Sequence, residues 1–337
     1  MKKYILLLAI AFILLSSPIL KPVFAEESVD NLDKVVFQTL ERIETIVYGG
    51  PQTGGLLPRL SRAEKDIFGR ELPGSLTERQ TAIIEFLEKE TATQPSLLFK
   101  LAVAEWAVLR KTYPIWPLSR RVEQLESITD GLKGDGALSG RLEKLITKIL
   151  PEGVLANTIT LPAATIVKAS LTKTLSVKNI KLDDKLVLNL LEDILFDGNL
   201  VAPKGSRVLA HISKRKPPRS FGRGSEIEIE FDYLESIGPA NIALVLGDSA
   251  KQAMEADAAM YGAAGASIAG AAILGPLGLV GGFLIRGSDN QVKEGTVFYI
   301  ETESEVNVNA YKIPGQISSI TTSGDVVAPQ GNIPSNS

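Results

Sequence analysis

Cysteine is absent from this 337-residue chain and histidine occurs once, as His211. No disulfide framework, thiol nucleophile or cysteine-based zinc site can therefore be built from it. A histidine-rich metal centre is excluded for the same reason. Basic charge is also in short supply: Lys and Arg number 36 against 39 Asp and Glu. Nothing in that balance favours nucleic acid as a partner. What is present in ordinary measure is apolar content, 45% of the residues, in a chain long enough for two domains.

At the N-terminus Met1-Lys2-Lys3 precede an apolar stretch from Tyr4 to Leu15, and Val23-Phe24-Ala25 supplies the small residues of a cleavage site. This is the pattern of a secretory signal peptide over residues 1–25, with Ser16, Ser17 and Pro18 interrupting the apolar run before it reaches spanning length. Cleavage would remove Lys2, Lys3 and Lys21, leaving 33 basic residues against 39 acidic ones. The expected location is outside the cytoplasm, periplasmic or associated with an outer membrane.

Residues 26–152 read as a helical domain built on a short repeat. Leu32, Val36, Leu40, Ile43 and Val47 recur at helical spacing. The run Leu40-Glu41-Arg42-Ile43-Glu44 returns twenty residues later as Leu60-Ser61-Arg62-Ala63-Glu64, and Arg121-Val122-Glu123 returns at the same interval as Arg141-Leu142-Glu143. Gly74-Ser75-Leu76 is echoed by Gly136-Ala137-Leu138, and Ser75 with Glu78 has the spacing of a capping box. Helices are expected near 32–48, 58–68, 76–90, 96–111, 118–129 and 138–149, the fourth being the buried centre because apolar residues cover most of its circumference. Each is too short to be stable alone. The recurring Arg-x-Glu positions are expected to be solvated helix-surface charges rather than a ligand-binding ladder.

From Pro151 the pattern changes to alternating β-branched and polar residues with frequent turns. Strands are expected at 165–172, 185–196, 207–213, 226–234, 240–246, 296–302 and 306–313. In the run from Glu226 to Phe231 the glutamates take one face, and Ile227, Ile229 and Phe231 the other. The fold class is therefore α+β: a bundle of short helices, then a small antiparallel β-barrel or sandwich over 153–313 with a glycine-rich helical hairpin inserted at 256–286, and a tail at 314–337. The runs Leu161-Pro162-Ala163-Ala164-Thr165, Leu200-Val201-Ala202-Pro203-Lys204-Gly205-Ser206 and Val292-Lys293-Glu294-Gly295-Thr296 resemble segments of the TrbI-like outer-core proteins of conjugation and type IV secretion channels. The resemblance covers roughly residues 158–311. It implies a periplasmic β-barrel that assembles into rings, with the helical insertion lining a pore.

The sharpest local signal is Ala258 to Ile285, twenty-eight residues without Asp, Glu, Lys or Arg. Ala258, Gly262, Ala266 and Gly270 stand four apart, and Gly278 and Gly282 repeat that spacing after Gly275-Pro276. Small residues at such intervals let helices approach closely, the glycine-zipper pattern. Two short helices joined by a turn are expected, contacting a membrane or a second copy, with Asp257 and Arg286 marking the interface. A basic segment follows a different logic: Lys214, Arg215, Lys216, Arg219 and Arg223 crowd a loop between two strands. It is a candidate site for an anionic envelope polymer, or else a counter-charge to Glu226, Glu228 and Glu230 across the hairpin.

His211 lies inside a strand, Ser267 has no nucleophile-elbow context, and the spacing of Gly265 and Gly270 lacks the Lys and Ser/Thr of a phosphate loop. Asp183-Asp184 and Glu192-Asp193 are paired carboxylates without an evident partner. No catalytic constellation, cofactor site, metal site or small-molecule substrate is identifiable. The expected function is that of a non-enzymatic structural or assembly protein of the cell envelope.

Overall fold

In the computed structural model the described residues are 23–89, 94–216, 225–263, 283–287 and 291–314. Residues 1–22 of the expected signal peptide, the tail beyond Pro314, and Arg219 and Arg223 lie outside them, while Val23 to Ala25 belong to the first helix. Six helices come first: α1 (Val23–Tyr48), α2 (Leu56–Phe68), α3 (Leu76–Glu88), α4 (Leu97–Leu109), α5 (Leu118–Thr129) and α6 (Leu138–Ile149). Ser75 and Glu78 form the capping box that starts α3. In α4, Leu97, Phe99, Leu101, Val103, Ala104 and Trp106 are all buried, as its apolar circumference requires.

The repeat is held by charge, in a way its surface reading did not anticipate. Glu44, Glu64, Glu105 and Glu126 are buried to 3% exposure or less. Each receives Nε and Nη2 of one arginine, in the pairs Glu44–Arg59, Glu64–Arg79, Glu105–Arg121 and Glu126–Arg141 at 2.5–2.9 Å. Three of these carboxylates also accept a loop N–H eight residues downstream, from Gln52, Tyr113 and Gly134. Two-pronged pairing of this kind is needed to offset the desolvation of both charges. The expectation of solvated Arg-x-Glu positions is thus corrected by half: Glu44, Glu64, Arg121 and Arg141 are interior, while Arg42 and Glu143 remain at the surface.

Alignment on these pairs shows a larger period. Glu44, Arg59, Glu64 and Arg79 in α1–α3 correspond to Glu105, Arg121, Glu126 and Arg141 in α4–α6, 61 or 62 residues on. The helical region is therefore two copies of a three-helix module.

Thirteen strands are described after α6: β1 (Ala156–Leu161), β2 (Ile166–Leu171), β3 (Leu175–Ser176), β4 (Lys185–Leu190), β5 (Ile194–Phe196), β6 (Asn199–Ala202), β7 (Arg207–Lys216), β8 (Ser225–Glu235), β9 (Asn241–Val245), β10 (Phe283–Gly287), β11 (Gln291–Val292), β12 (Val297–Thr302) and β13 (Val306–Lys312). Six of them close on themselves in the order β8-β7-β4-β2-β12-β9, with β9 pairing back to β8. All pairings are antiparallel, so this is a small closed barrel that leaves those strands no free edge. Alternation fills it as expected: Ile227, Ile229 and Phe231 point into a core with Val167, Leu188, Val208 and Phe298. Of the other strands, β10 pairs onto β8 of the barrel sheet, four form a sheet in the order β1-β13-β6-β5, and β3 and β11 make a short pair.

One expected strand, 185–196, is two. The chain breaks at Leu191–Asp193 because Asp193 has a separate duty at the junction with the helices. Its Oδ2 accepts Trp106 Nε1 at 2.7 Å and its Oδ1 accepts the Lys204 N–H at 2.6 Å. Trp106 also meets Tyr311 edge-on, and Leu200, Ile237, Tyr311 and Ile313 join the helical core. Gly205, at φ 89°, lies against Thr112, and a Cβ there would stand 2.3 Å from the Thr112 carbonyl oxygen. Glycine is required at that position to seat the barrel on the helices.

Candidate functional site

Between β9 and β12 the chain leaves the barrel as helix α7 (Asp248–Ala263) and returns as β10. The helix begins ten residues before the charge-free run, and two carboxylates fix it to the barrel wall. The buried Glu301 on β12 accepts the Ala250 N–H at 2.7 Å, supplying from another strand the acceptor that a helix N-terminus lacks. Gly247, just before the helix, permits this approach, since a Cβ there would fall 1.7 Å from Glu301 Oε1.

The second anchor is Asp257, about two and a half turns along α7. Lys168 on β2 and Tyr299 on β12 are direct cross-strand partners. Asp257 lands on both, with Lys168 Nζ at 2.9 Å and Tyr299 Oη donating at 2.8 Å. Lys168 is shared with Glu192 at 3.1 Å. Burial opposes the charge on Asp257, but these two donors hold its carboxyl below the usual carboxylate range. Burial and the adjacent carboxylate push the Tyr299 hydroxyl up to about 12.

The described ends of the expected helical hairpin, at 256–263 and 283–286, can be placed, and the part between them lies outside the described residues. Ala258 and Gly262 do lie in a helix, but the helix is the docked α7, and Asp257 marks a clasp on the barrel. At the far end, Phe283 to Arg286, expected to close the second helical arm, belong to a strand instead. There β10 pairs antiparallel with β8, from Phe283 opposite Ile229 to Gly287 opposite Ser225. Ala266, Gly270, Gly275, Gly278 and Gly282 lie outside the described residues, as do Ser267 and Gly265. Sequence reasoning missed Lys168, Tyr299, Glu301 and Gly247, which carry no local motif. Only the strand alternation that puts Lys168 and Tyr299 on the outer face could have suggested them. No described helix is long and apolar enough to cross a membrane.

The basic segment is also corrected in part. Lys214, Arg215 and Lys216 are not loop residues but the last turnless stretch of β7, which pairs with β8 up to Lys216 opposite Glu226. Lys214 Nζ lies 3.7 Å from both Glu226 and Glu228, and Lys216 Nζ is 2.9 Å from Glu226. Arg215 Nε donates to the Val177 carbonyl at 2.6 Å. The remaining polar candidates have structural partners too. His211 Nδ1 lies 2.7 Å from Asp232 Oδ1, and Asp184 accepts the Lys181 N–H at 2.7 Å. Among the described residues no group of three or more His, Asp or Glu is placed to hold a metal ion.

No protein-family model matches this chain, and no curated protein matches it. Among solved structures it is similar to ComB10 of the Com type IV secretion system of Helicobacter pylori, at 16% identity and a TM-score of 0.24, covering 44% of this chain and 89% of that one. That loose likeness adds nothing to the barrel, which rests on the strand pairings of this chain.

Proposed function

We propose that this protein is a non-enzymatic structural or assembly component of the cell envelope, exported through its N-terminal signal, which associates with a membrane or with further copies of itself through the charge-free segment. The observation that carries the reading is how that segment is mounted. Nineteen consecutive residues, 264–282, contain no charge, and both flanks are fastened to the barrel, one by the Asp257 and Glu301 contacts of α7 and the other by the β10–β8 ladder. A linker needs no such fastening. An apolar segment presented from a rigid base suits insertion or self-packing. The resemblance to TrbI-like outer-core proteins points to the same kind of role.

The test replaces residues 264–282 with a Gly-Ser linker of equal length, leaving α7 and β10 intact. The native protein is expected to sediment with membranes, or to run as an oligomer by light scattering, and the replaced protein to be a soluble monomer. A native protein that is already a soluble monomer refutes the proposal. Anion binding by the basic segment is the weaker alternative, because Lys214 and Lys216 already face glutamates.

A further inference from the structure

The sheet β1-β13-β6-β5 has two outer edges, and they are not alike. β5 is three residues long and lies between Asp193 and Asp197. β1 is six residues long and pairs with β13 without a bulge, from Ala156 opposite Tyr311 to Leu161 opposite Val306. It carries no charge, proline or glycine. The outer strand on the barrel sheet, β10, carries Arg286 and ends on Gly287. Short length, charge, proline and bulges are the devices that keep a sheet edge from pairing with another chain. Among the described edge strands, β1 alone has none of them.

One bond shows which way the backbone groups of β1 point. The Lys312 N–H donates to the Leu155 carbonyl at 3.4 Å, so Leu155 faces β13. In an antiparallel pair the residues that face the neighbour alternate. Asn157, Ile159 and Leu161 therefore face β13 as well, and the N–H and C=O of Ala156, Thr158 and Thr160 face outward. No described strand lies on that side. The side-chain donors are already used, because the exposed Thr158 and Thr160 donate their hydroxyls to Asn309 and Asn307 at 2.8 Å. What the edge leaves open is backbone, and the group that matches open strand backbone is another strand.

We infer that β1 pairs antiparallel with β1 of a second copy. The strand is complementary to itself. A two-fold axis at Thr158 sets Thr158 opposite Thr158, with Ala156 opposite Thr160 on either side. All three outward residues of each copy are then matched, with two backbone hydrogen bonds in each of the three pairs. Moving the axis to Asn157 or Ile159 sets Thr160 against Val154 or Ala156 against Pro162, both outside the strand, and Pro162 has no N–H to give. The strand has no charge, so two copies of this acidic protein meet there without repulsion. Leu155, 63% exposed just before the strand, is covered by the opposing strand end. So short a ladder buries too little surface to hold two free copies together. It forms among copies already gathered by the charge-free segment, and to that extent it rests on the function proposed above.

The chain has no cysteine, so a single introduced one reports its own contact. The full-length protein is oxidised with copper phenanthroline and run on a non-reducing gel. Thr158→Cys is expected to give at least about fivefold more covalent dimer than Thr160→Cys, because the two copies of residue 158 stand about 5.5 Å apart and those of residue 160 about 14 Å apart. Lys144→Cys, exposed on α6, sets the background from collision. Adding Thr160→Lys to Thr158→Cys puts charge on the edge and should cut the yield to that background. Equal yields at 158, 160 and 144 overturn the inference, as does a Thr158→Cys yield that Thr160→Lys leaves unchanged. Light scattering and membrane sedimentation of the same samples separate the two readings. An oligomeric or membrane-bound protein that does not cross-link at 158 overturns the β1 pairing alone, whereas a soluble monomer that does not cross-link overturns the role of the charge-free segment as well.

Discussion

Removing Arg141 isolates the worth of one buried pair. In the native protein Glu126 is held below the ordinary carboxylate range, first by the hydrogen bonds from Arg141 and further by the Gly134 N–H, against the opposing effect of burial. In Arg141→Met the opposing effect remains and the main support is gone. The buried carboxylate then takes up a proton. Neutralising a carboxyl whose reference value is 4.5 costs about 3.4 kcal/mol at pH 7 and about 0.7 kcal/mol at pH 5, at 1.36 kcal/mol per pH unit. The deficit of the variant should therefore be about 3–4 kcal/mol at neutral pH, within the range for breaking a buried pair, and most of it should vanish by pH 5. Urea unfolding of both proteins at the two pH values measures this directly. The double variant Glu126→Met/Arg141→Met should recover more than half of the loss at pH 7, because no buried charge remains and only the Gly134 N–H lacks its acceptor. A neutral-pH loss below about 1 kcal/mol, or a loss that does not change between pH 7 and 5, would refute the account of the pair as a buried charge clasp.

Acid should weaken the native protein in a related way. Glu44 and Glu126 have lowered folded-state values, so their contribution is complete above about 4.5 and declines as pH falls through those lower values; circular dichroism against pH should show helix loss only below that point. Asp257→Asn should free α7 from the barrel without unfolding the barrel, seen as faster amide exchange confined to residues 248–263, since the Lys168 ion pair is lost while the Tyr299 bond can be kept. Gly205→Ala combines a positive φ with a 2.3 Å approach to the Thr112 carbonyl and should cost roughly 2 kcal/mol or more, read as a lowered midpoint of thermal unfolding. Trp106→Phe removes the donor to Asp193 and should cost about 1.5–3 kcal/mol, measured by urea unfolding.

The helices and most barrel strands were legible because each rests on a local pattern: leucine spacing around Leu60 and Ile67, a Ser75–Glu78 cap, alternation at Ile227 and Ile229. Long-range duties left no such trace. Asp193 breaks a strand for a tryptophan 87 residues away, and nothing near it in sequence says so. The burial of Glu44 and Arg59 was hidden for a different reason. Each partner is fifteen residues from the other, beyond the i, i+4 reach along a helix, so a charge read one helix at a time looks solvated. Lys214 to Lys216 misled through neighbouring prolines, although the strand runs to the residue before them. Of the candidate site, the charge-free composition was plain, but its mounting on Lys168, Tyr299 and Glu301 comes only from the closed barrel.

The ion pairs obey a grammar of beginnings, middles and ends. The opening helix of each module, α1 or α4, contributes a glutamate alone; the middle helix, α2 or α5, contributes an arginine to the helix before and a glutamate to the helix after; the closing helix, α3 or α6, contributes an arginine alone. A middle helix can then be duplicated or lost with every interior charge still matched. Loss of an opening or closing helix strands a charge inside the module. Module length can thus change during evolution by whole middle repeats, whereas the boundary helices are fixed by charge balance.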